Sequence, residues 1–139
     1  RVRIFGTPLH GTEIDLDETP DALPALAVLA CRATGETRLT HVGHARIKET
    51  DRLTVMQKEL SRMGADVQEL TDGLVIQGGR LRGTTVNGHS DHRVVMALAI
   101  AGLAAEGCTT VTTGEAVRVT FPEFVPLMRH LGACITTEE

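Results

Sequence analysis

An α+β fold built from repeated β-α-β-α-β-β units is the architecture this sequence predicts, and three observations carry the prediction. First, two strongly apolar helices, DALPALAVLACRAT from Asp21 and DHRVVMALAIAGLAAE from Asp91, each run to a glycine (Gly35, Gly107) and then into a β-prone run. Second, the octet LSRMGADV starting at Leu60 returns as MRHLGACI starting at Met128, so one order of last helical turn, glycine and strand occurs twice. Third, Thr71-Asp72-Gly73 separates two β-prone runs, the signal of a tight hairpin.

Each element follows in order. RVRIFG at 1–6 reads as the tail strand of a preceding unit. Strands are expected at about 13–16, 37–42, 66–70, 74–78, 84–87, 108–113 and 133–137, which gives one unit over about 12–79 and a second over about 84–138. Leu53, Met56, Leu60 and Met63 form a single apolar stripe, with Asp51, Arg52, Lys58, Glu59 and Arg62 assigned mostly to the opposite face. Phe121, Phe124, Val125, Met128 and Leu131 repeat that stripe. The helices opening at Asp21 and Asp91 are apolar nearly all round, so they need cover on every side. Two units supply little of it, and the chain reads as a piece of a larger repeat-built domain.

Composition narrows the function. The 139 residues carry a net charge of −4, and the 14 basic residues are scattered singly, which leaves no footprint for duplex nucleic acid or anionic lipid. Trp and Tyr are absent and Phe occurs three times, so the stacking platforms of single-strand binders are missing. The longest uncharged apolar run, Val94 to Ala105, is shorter than the roughly 18 residues a membrane span needs. Cys31, Cys108 and Cys134 lie in apolar contexts without paired spacing and read as reduced core residues of a cytoplasmic protein. No signal peptide is apparent.

Polar chemistry gathers at helix starts, where unpaired N–H groups and the helix dipole favour anions. Three clusters are expected to meet at one end of the domain: Pro20-Asp21, Lys48-Glu49-Thr50-Asp51-Arg52, and Ser90-Asp91-His92-Arg93. Lys48 and Arg52 at a helix start oppose its dipole, so helix stability does not explain them. They suit phosphate or carboxylate groups, with Glu49 transferring protons; a solvated, mutually paired charge run is the plainer alternative. Asp21 and Asp91 read equally well as N-caps, His92 as a satisfied polar residue, and Arg93 as a surface charge. The His41/His44 and His89/His92 pairs lack a third ligand, so no metal is expected. Gly78-Gly79 and Gly83 lack the spacing of a nucleotide-phosphate loop, and no nucleophile elbow is present.

PDA at 20–22, KETDR at 48–52, SDHRVVMAL at 90–98 and TFPEF at 120–124 resemble, in order, the signatures of the 5-enolpyruvylshikimate-3-phosphate synthase family. The resemblance implies the enolpyruvyl transferase fold, an inside-out α/β barrel-like arrangement in which each of two domains holds three units. This chain then corresponds to about two of the three units of one domain. It implies transfer of the enolpyruvyl group of phosphoenolpyruvate to the 5-hydroxyl of shikimate 3-phosphate with loss of phosphate, in the shikimate pathway to chorismate and aromatic amino acids, without metal or organic cofactor. Carried over by motif, Asp21 resembles the acceptor of the 5-hydroxyl proton, Glu49 the proton-transfer acid and base, and His92 the histidine supporting phosphate departure. Lys48, with His44, falls on the shikimate 3-phosphate side together with Asp21. Arg52 and Arg93, with Glu49, fall on the phosphoenolpyruvate side. Two positions depart from the pattern: Val119 stands where some members have lysine, beside Arg118, and His44 stands where asparagine is frequent.

The resemblance makes the rest of the enzyme a partner of this chain, together with the two substrates, and leaves the isolated chain weak in binding, inactive, and prone to self-association through its uncovered flank. Two alternatives stay open: the sister transferase acting on UDP-N-acetylglucosamine, and a phosphate-ligand or interaction module without catalysis.

Overall fold

The computed structural model describes residues 1–138. Strand β1 (Glu13–Asp15) leads through a 3-10 turn at Pro20–Ala22 into α1 (Leu23–Arg32), then β2 (Glu36–Thr40). A second 3-10 segment (Gly43–Ile47) precedes α2 (Arg52–Arg62), which feeds the hairpin of β3 (Asp66–Leu70) and β4 (Gly73–Gln77). The remainder is β5 (Thr85–Asn87), α3 (His92–Ala104), β6 (Thr110–Thr112), a 3-10 segment (Gly114–Val119) and α4 (Phe124–His130).

The strands form two separate sheets. The first has the order β1-β2-β4-β3, with β1 and β2 parallel and the other pairs antiparallel; the second pairs β5 with β6 in parallel. Each parallel pair is linked through an apolar helix, α1 or α3, as parallel strands require. Leu39, Leu74 and Ile76 of the first sheet face Leu23, Leu53, Met56, Leu60 and Leu98 in one buried core. A smaller cluster joins Val95 to Ala116, Val117 and Phe124, where the Phe121 and Phe124 rings meet edge to face at 5.9 Å.

The repeated octet has one physical meaning in both places. Gly64 and Gly132 adopt φ of +86° and +96°, and Ala65 and Ala133 donate back to the carbonyls of Leu60 and Met128 at 3.0 and 2.9 Å. Each is a left-handed helix cap that L side chains adopt at a cost. Gly35 and Gly107, at +90° and +94°, do not cap; α1 and α3 have already ended at Arg32 and Ala104, and these glycines lie in the turns that follow.

Several expectations need correction. Residues 1–6 form no strand, and Val2, Ile4 and Phe5 are exposed, because no neighbouring strand takes up their backbone bonds. Residues 133–137 likewise form no strand. The helix expected from Asp21 starts at Leu23, with Asp21 inside the preceding 3-10 turn. The last amphipathic helix begins only at Phe124, leaving Phe121 before it and Leu131 exposed beyond it. Cys31 is buried, but Cys108 and Cys134 are exposed. The hairpin lies where expected with a different use of glycine: Gly73 has no positive φ, and a Cβ there would sit 2.1 Å from the Leu39 carbonyl oxygen on β2. Helices α1 and α3 pack together but are not covered all round, since Leu29, Ile100 and Leu103 stay exposed.

Candidate active site

Three chain segments deliver the polar cluster. Asp21 comes from the 3-10 turn before α1. Lys48 follows the segment Gly43–Ile47 in extended conformation, and Glu49 and Thr50 lead to Asp51, whose carboxylate accepts the Thr54 amide at 3.1 Å and caps α2. Arg52 is therefore the first residue of α2. Asp91 caps α3, accepting the amides of Arg93 at 2.9 Å and Val94 at 3.4 Å. Capping thus explains Asp51 and Asp91, while Asp21 caps nothing.

Arg52 holds the cluster together. Its side chain is 1 % exposed, and its guanidinium donates to three carboxylates: Nε to Asp91 Oδ2 at 2.8 Å, Nη1 to Asp21 Oδ1 at 2.8 Å, and Nη2 to Glu49 Oε2 at 2.8 Å and Asp91 Oδ1 at 3.1 Å. Four bonds from five N–H groups nearly saturate it. Asp91 is itself wholly buried and also accepts the Thr50 hydroxyl at 3.3 Å. Periodicity places Arg52 on the outer face, whereas the structure buries it, which is possible because the charges are paired and hydrogen-bonded.

Two cations remain partly open to solvent, and both lean on Asp21: Lys48 Nζ lies 3.5 Å from Oδ1, and Arg93 Nη2 lies 3.4 Å from Oδ2. His92 Nδ1 is 3.9 Å from Glu49 Oε1. Burial pushes the Asp21 carboxyl up, but Arg93, Lys48 and Arg52 outweigh it and hold it below the usual carboxylate range. Asp91 is likewise held low against burial by Arg52 and by the two amides it caps. The structure thus brings Asp21, Lys48, Glu49, Arg52, His92 and Arg93 together at the starts of α1, α2 and α3. An open apolar cavity of about 190 Å³ runs from Asp21 and Arg93 between α1 and α3.

His44 does not bond to this group; its Nε2 lies 3.0 Å from the Asp17 carbonyl, which ties down the loop carrying Asp21. Arg118 and Val119 are exposed in the 3-10 segment after β6. Among the described residues no group of three or more His, Cys, Asp or Glu side chains is arranged to hold a metal ion.

Three structural charges carry no mark of their partners in the sequence. Asp91 was legible as a cap but not as the main partner of Arg52. Arg46 donates to Asp51, Glu69 and the Leu70 and Thr71 carbonyls, clamping the segment before α2 to the β3–β4 hairpin. Glu59, assigned to a polar face, is fully buried against His89. Their main partners, Arg52 for Asp91, Glu69 for Arg46 and His89 for Glu59, are 23 to 39 residues away, so no local pattern marks them.

Comparison with known proteins gives the family. The family model for EPSP synthase (3-phosphoshikimate 1-carboxyvinyltransferase) matches residues 1–128. Relatives include the 3-phosphoshikimate 1-carboxyvinyltransferases of Acetivibrio thermocellus, 59% identical over 99% of this chain and 33% of the relative, and of Methanocella arvoryzae, 53% identical over 95% and 31%. A solved EPSP synthase from Acinetobacter baumannii superposes with a TM-score of 0.88 at 34% identity, covering 95% of this chain and 32% of that one. The chain spans about a third of the length of the curated relatives it matches, and no helix among the described residues is long and apolar enough to cross a membrane. A match over nearly the whole chain, with the KETDR and DHR residues converging in space, means that the chain belongs to the EPSP synthase (3-phosphoshikimate 1-carboxyvinyltransferase) family.

Proposed function

We propose that this chain is the part of a 3-phosphoshikimate 1-carboxyvinyltransferase that carries its proton-transfer residues. The observation behind this reading is the convergence of Lys48, Arg52 and Arg93 on the single carboxylate of Asp21, with Glu49 on the same guanidinium. A reaction joining two phosphorylated carboxylic acids needs cations beside poised carboxylates, and planar Arg suits bidentate oxyanions.

In this reading the 5-hydroxyl of shikimate 3-phosphate gives its proton to Asp21 as its oxygen bonds to C2 of phosphoenolpyruvate, while the methylene carbon takes a proton from Glu49. The tetrahedral adduct then loses phosphate from C2 and a proton from the new methyl group, which returns to Glu49, and the C=C bond so formed gives the enol ether product. Lys48 holds shikimate 3-phosphate, and His44 contributes on that side by fixing the Asp17 carbonyl. Arg93 anchors phosphoenolpyruvate, joined by Arg52 once substrate displaces Asp21 from its Nη1, and His92 supports the departing phosphate. Residues 12–79 follow a β-α-β-α-β-β plan of which 84–138 repeat the first β-α-β-α part, and the remaining two thirds of the enzyme supply the other cations. The isolated chain binds weakly and does not turn over.

Two measurements test this. Titrating the labelled chain with shikimate 3-phosphate and phosphoenolpyruvate should perturb amides at 20–22, 48–52 and 91–93. A chimera in which this chain replaces the matching third of the Acetivibrio thermocellus enzyme should release phosphate, and Glu49→Gln should abolish that release. A folded chimera without activity, together with no amide response at millimolar ligand, overturns the proposal.

A further inference from the structure

Glu59 lies on α2 seven positions after Arg52, two helical turns or about 10.5 Å along the same face. It is wholly buried, and its carboxylate is fully occupied. Oε2 accepts the Asn87 amide at 3.0 Å and Arg62 Nη1 at 3.4 Å, and Oε1 meets His89 Nε2 at 3.0 Å.

Those contacts hold the connection from β5 to α3, and that connection is unusual. His89 and Ser90, consecutive and neither of them glycine, adopt φ of +52° and +56°. Every backbone N–H from Asn87 to Asp91 has a partner: Glu59 for Asn87, the Thr112 carbonyl for Gly88, Asn87 Oδ1 for His89, Thr113 Oγ1 for Ser90, and the Gly88 carbonyl for Asp91. The connection ends at Asp91, the carboxylate that forks onto Arg52. Helix α2 therefore grips both ends of one five-residue segment, through Glu59 at its start and Arg52 at its end.

We infer that Glu59 is a positioning residue: by clamping Asn87 and His89 it sets where Asp91 meets Arg52, and through Asp91 where His92 and Arg93 enter the site. The inference deepens the proposed function and rests on it only for the role of Arg52, His92 and Arg93 toward ligand. It assigns Glu59 no contact with substrate.

The test uses the 139-residue chain, isotope-labelled, with the Arg52 side-chain Nε–H signal as reporter, because a buried guanidinium forked onto Asp91 exchanges slowly with water. Glu59→Leu and His89→Gly should each speed Arg52 Nε–H exchange at least tenfold, shift the amides of Asp91, His92 and Arg93, and weaken the response to phosphoenolpyruvate severalfold. Glu59→Gln, which keeps the Asn87 bond, should restore most of the protection. Leu60→Ala, a core truncation one residue away, should lower stability without moving the reporter. If Glu59→Leu does not fold, His89→Gly decides, since glycine suits the left-handed position. Unchanged Arg52 exchange in the folded variants, or an equal change in Leu60→Ala, overturns the inference. A wild-type chain that ignores phosphoenolpyruvate, together with an inactive folded chimera, overturns the enolpyruvyl-transfer reading and leaves Glu59 judged on Arg52 exchange alone.

Discussion

Arg52 and Asp91, separated by 39 residues, are joined by two hydrogen bonds of 2.8 and 3.1 Å with both side chains out of contact with water. The pair links the first helical residue of α2 to the N-cap of α3, and so ties the two halves of the chain where the candidate site lies.

Breaking that pair from one side should be costly. Asp91→Ala leaves a buried guanidinium with one carboxylate fewer and removes the cap of α3, so we expect a loss of about 3–5 kcal/mol in urea unfolding followed by circular dichroism. Arg52→Met should lose a similar amount, and the double variant Arg52→Met/Asp91→Leu should recover much of it. A loss below about 1 kcal/mol in Asp91→Ala contradicts this account of the pair.

Asp21 competes for the cations that the proposed function gives to substrate. Asp21→Asn should therefore tighten binding of phosphoenolpyruvate or inorganic phosphate severalfold, read from amide shifts near Lys48 and Arg93. In the chimera the same change should lower turnover by about 10²-fold or more, as loss of a proton acceptor does. Weaker oxyanion binding in Asp21→Asn argues against the competition.

Acid should unfold this chain through its paired carboxylates. Asp21, Asp91 and Glu59 are all held below their ordinary values of 3.8, 3.8 and 4.5, so the unfolded chain binds more protons than the folded one in acid. Their stabilisation is complete above those ordinary values and is lost as pH falls through the lower, folded ones. The urea midpoint should thus hold steady with respect to these groups between pH 6 and 8 and drop below about pH 4, less steeply in the Arg52→Met/Asp91→Leu double variant. His41, raised by its bond to Asp15, works in the opposite sense: its contribution is present below 6.5 and lost above it. The pair is exposed, so that contribution is small.

Glycines divide by their surroundings. A Cβ at Gly73 or Gly78 would lie 2.1 or 1.6 Å from the carbonyl oxygens of Leu39 or Ala33, so alanine at either should destabilise by at least about 2 kcal/mol. Gly79 has open space and no positive φ, and Gly79→Ala should stabilise by about 0.4–1 kcal/mol. Thermal unfolding of the three variants checks the order.

The uncovered flank of α1 and α3 should drive association. Leu29, Ile100 and Leu103 are each about 40–50% exposed on two helices that pack side by side. Sedimentation velocity should show concentration-dependent oligomers that Leu29→Gln/Ile100→Gln reduces. A monomer at high concentration in the unaltered chain rejects this expectation.

The starts of α2 and α3, the β3–β4 hairpin and the two glycine caps were legible because each is a local event, decided by residues within a turn or two. Convergence of KETDR and DHR was legible because both stretches sit at helix starts, and the helix starts were expected at one end of the domain. Periodicity assigns Arg52 and Glu59 outward by their charge, whereas Asp91 and His89, 39 and 30 residues further along the chain, hold them inside. Alternating apolar residues at 1–6 and 133–137 have strand character but lack a neighbour to pair with, and strand formation is a property of the pair. Glycine at position 73 was expected for its backbone freedom and is required for its missing side chain.

The two sheets exchange no backbone bonds among the described residues, so packing between helices sets how one half docks on the other. Apolar surfaces tolerate sliding; a charge pair does not. Displacing α3 by one turn along its axis would carry Asp91 about 5.4 Å from Arg52 and maroon two ions in a dry interior. Misdocked arrangements of the same helices are thereby rejected by electrostatics where shape alone would admit them.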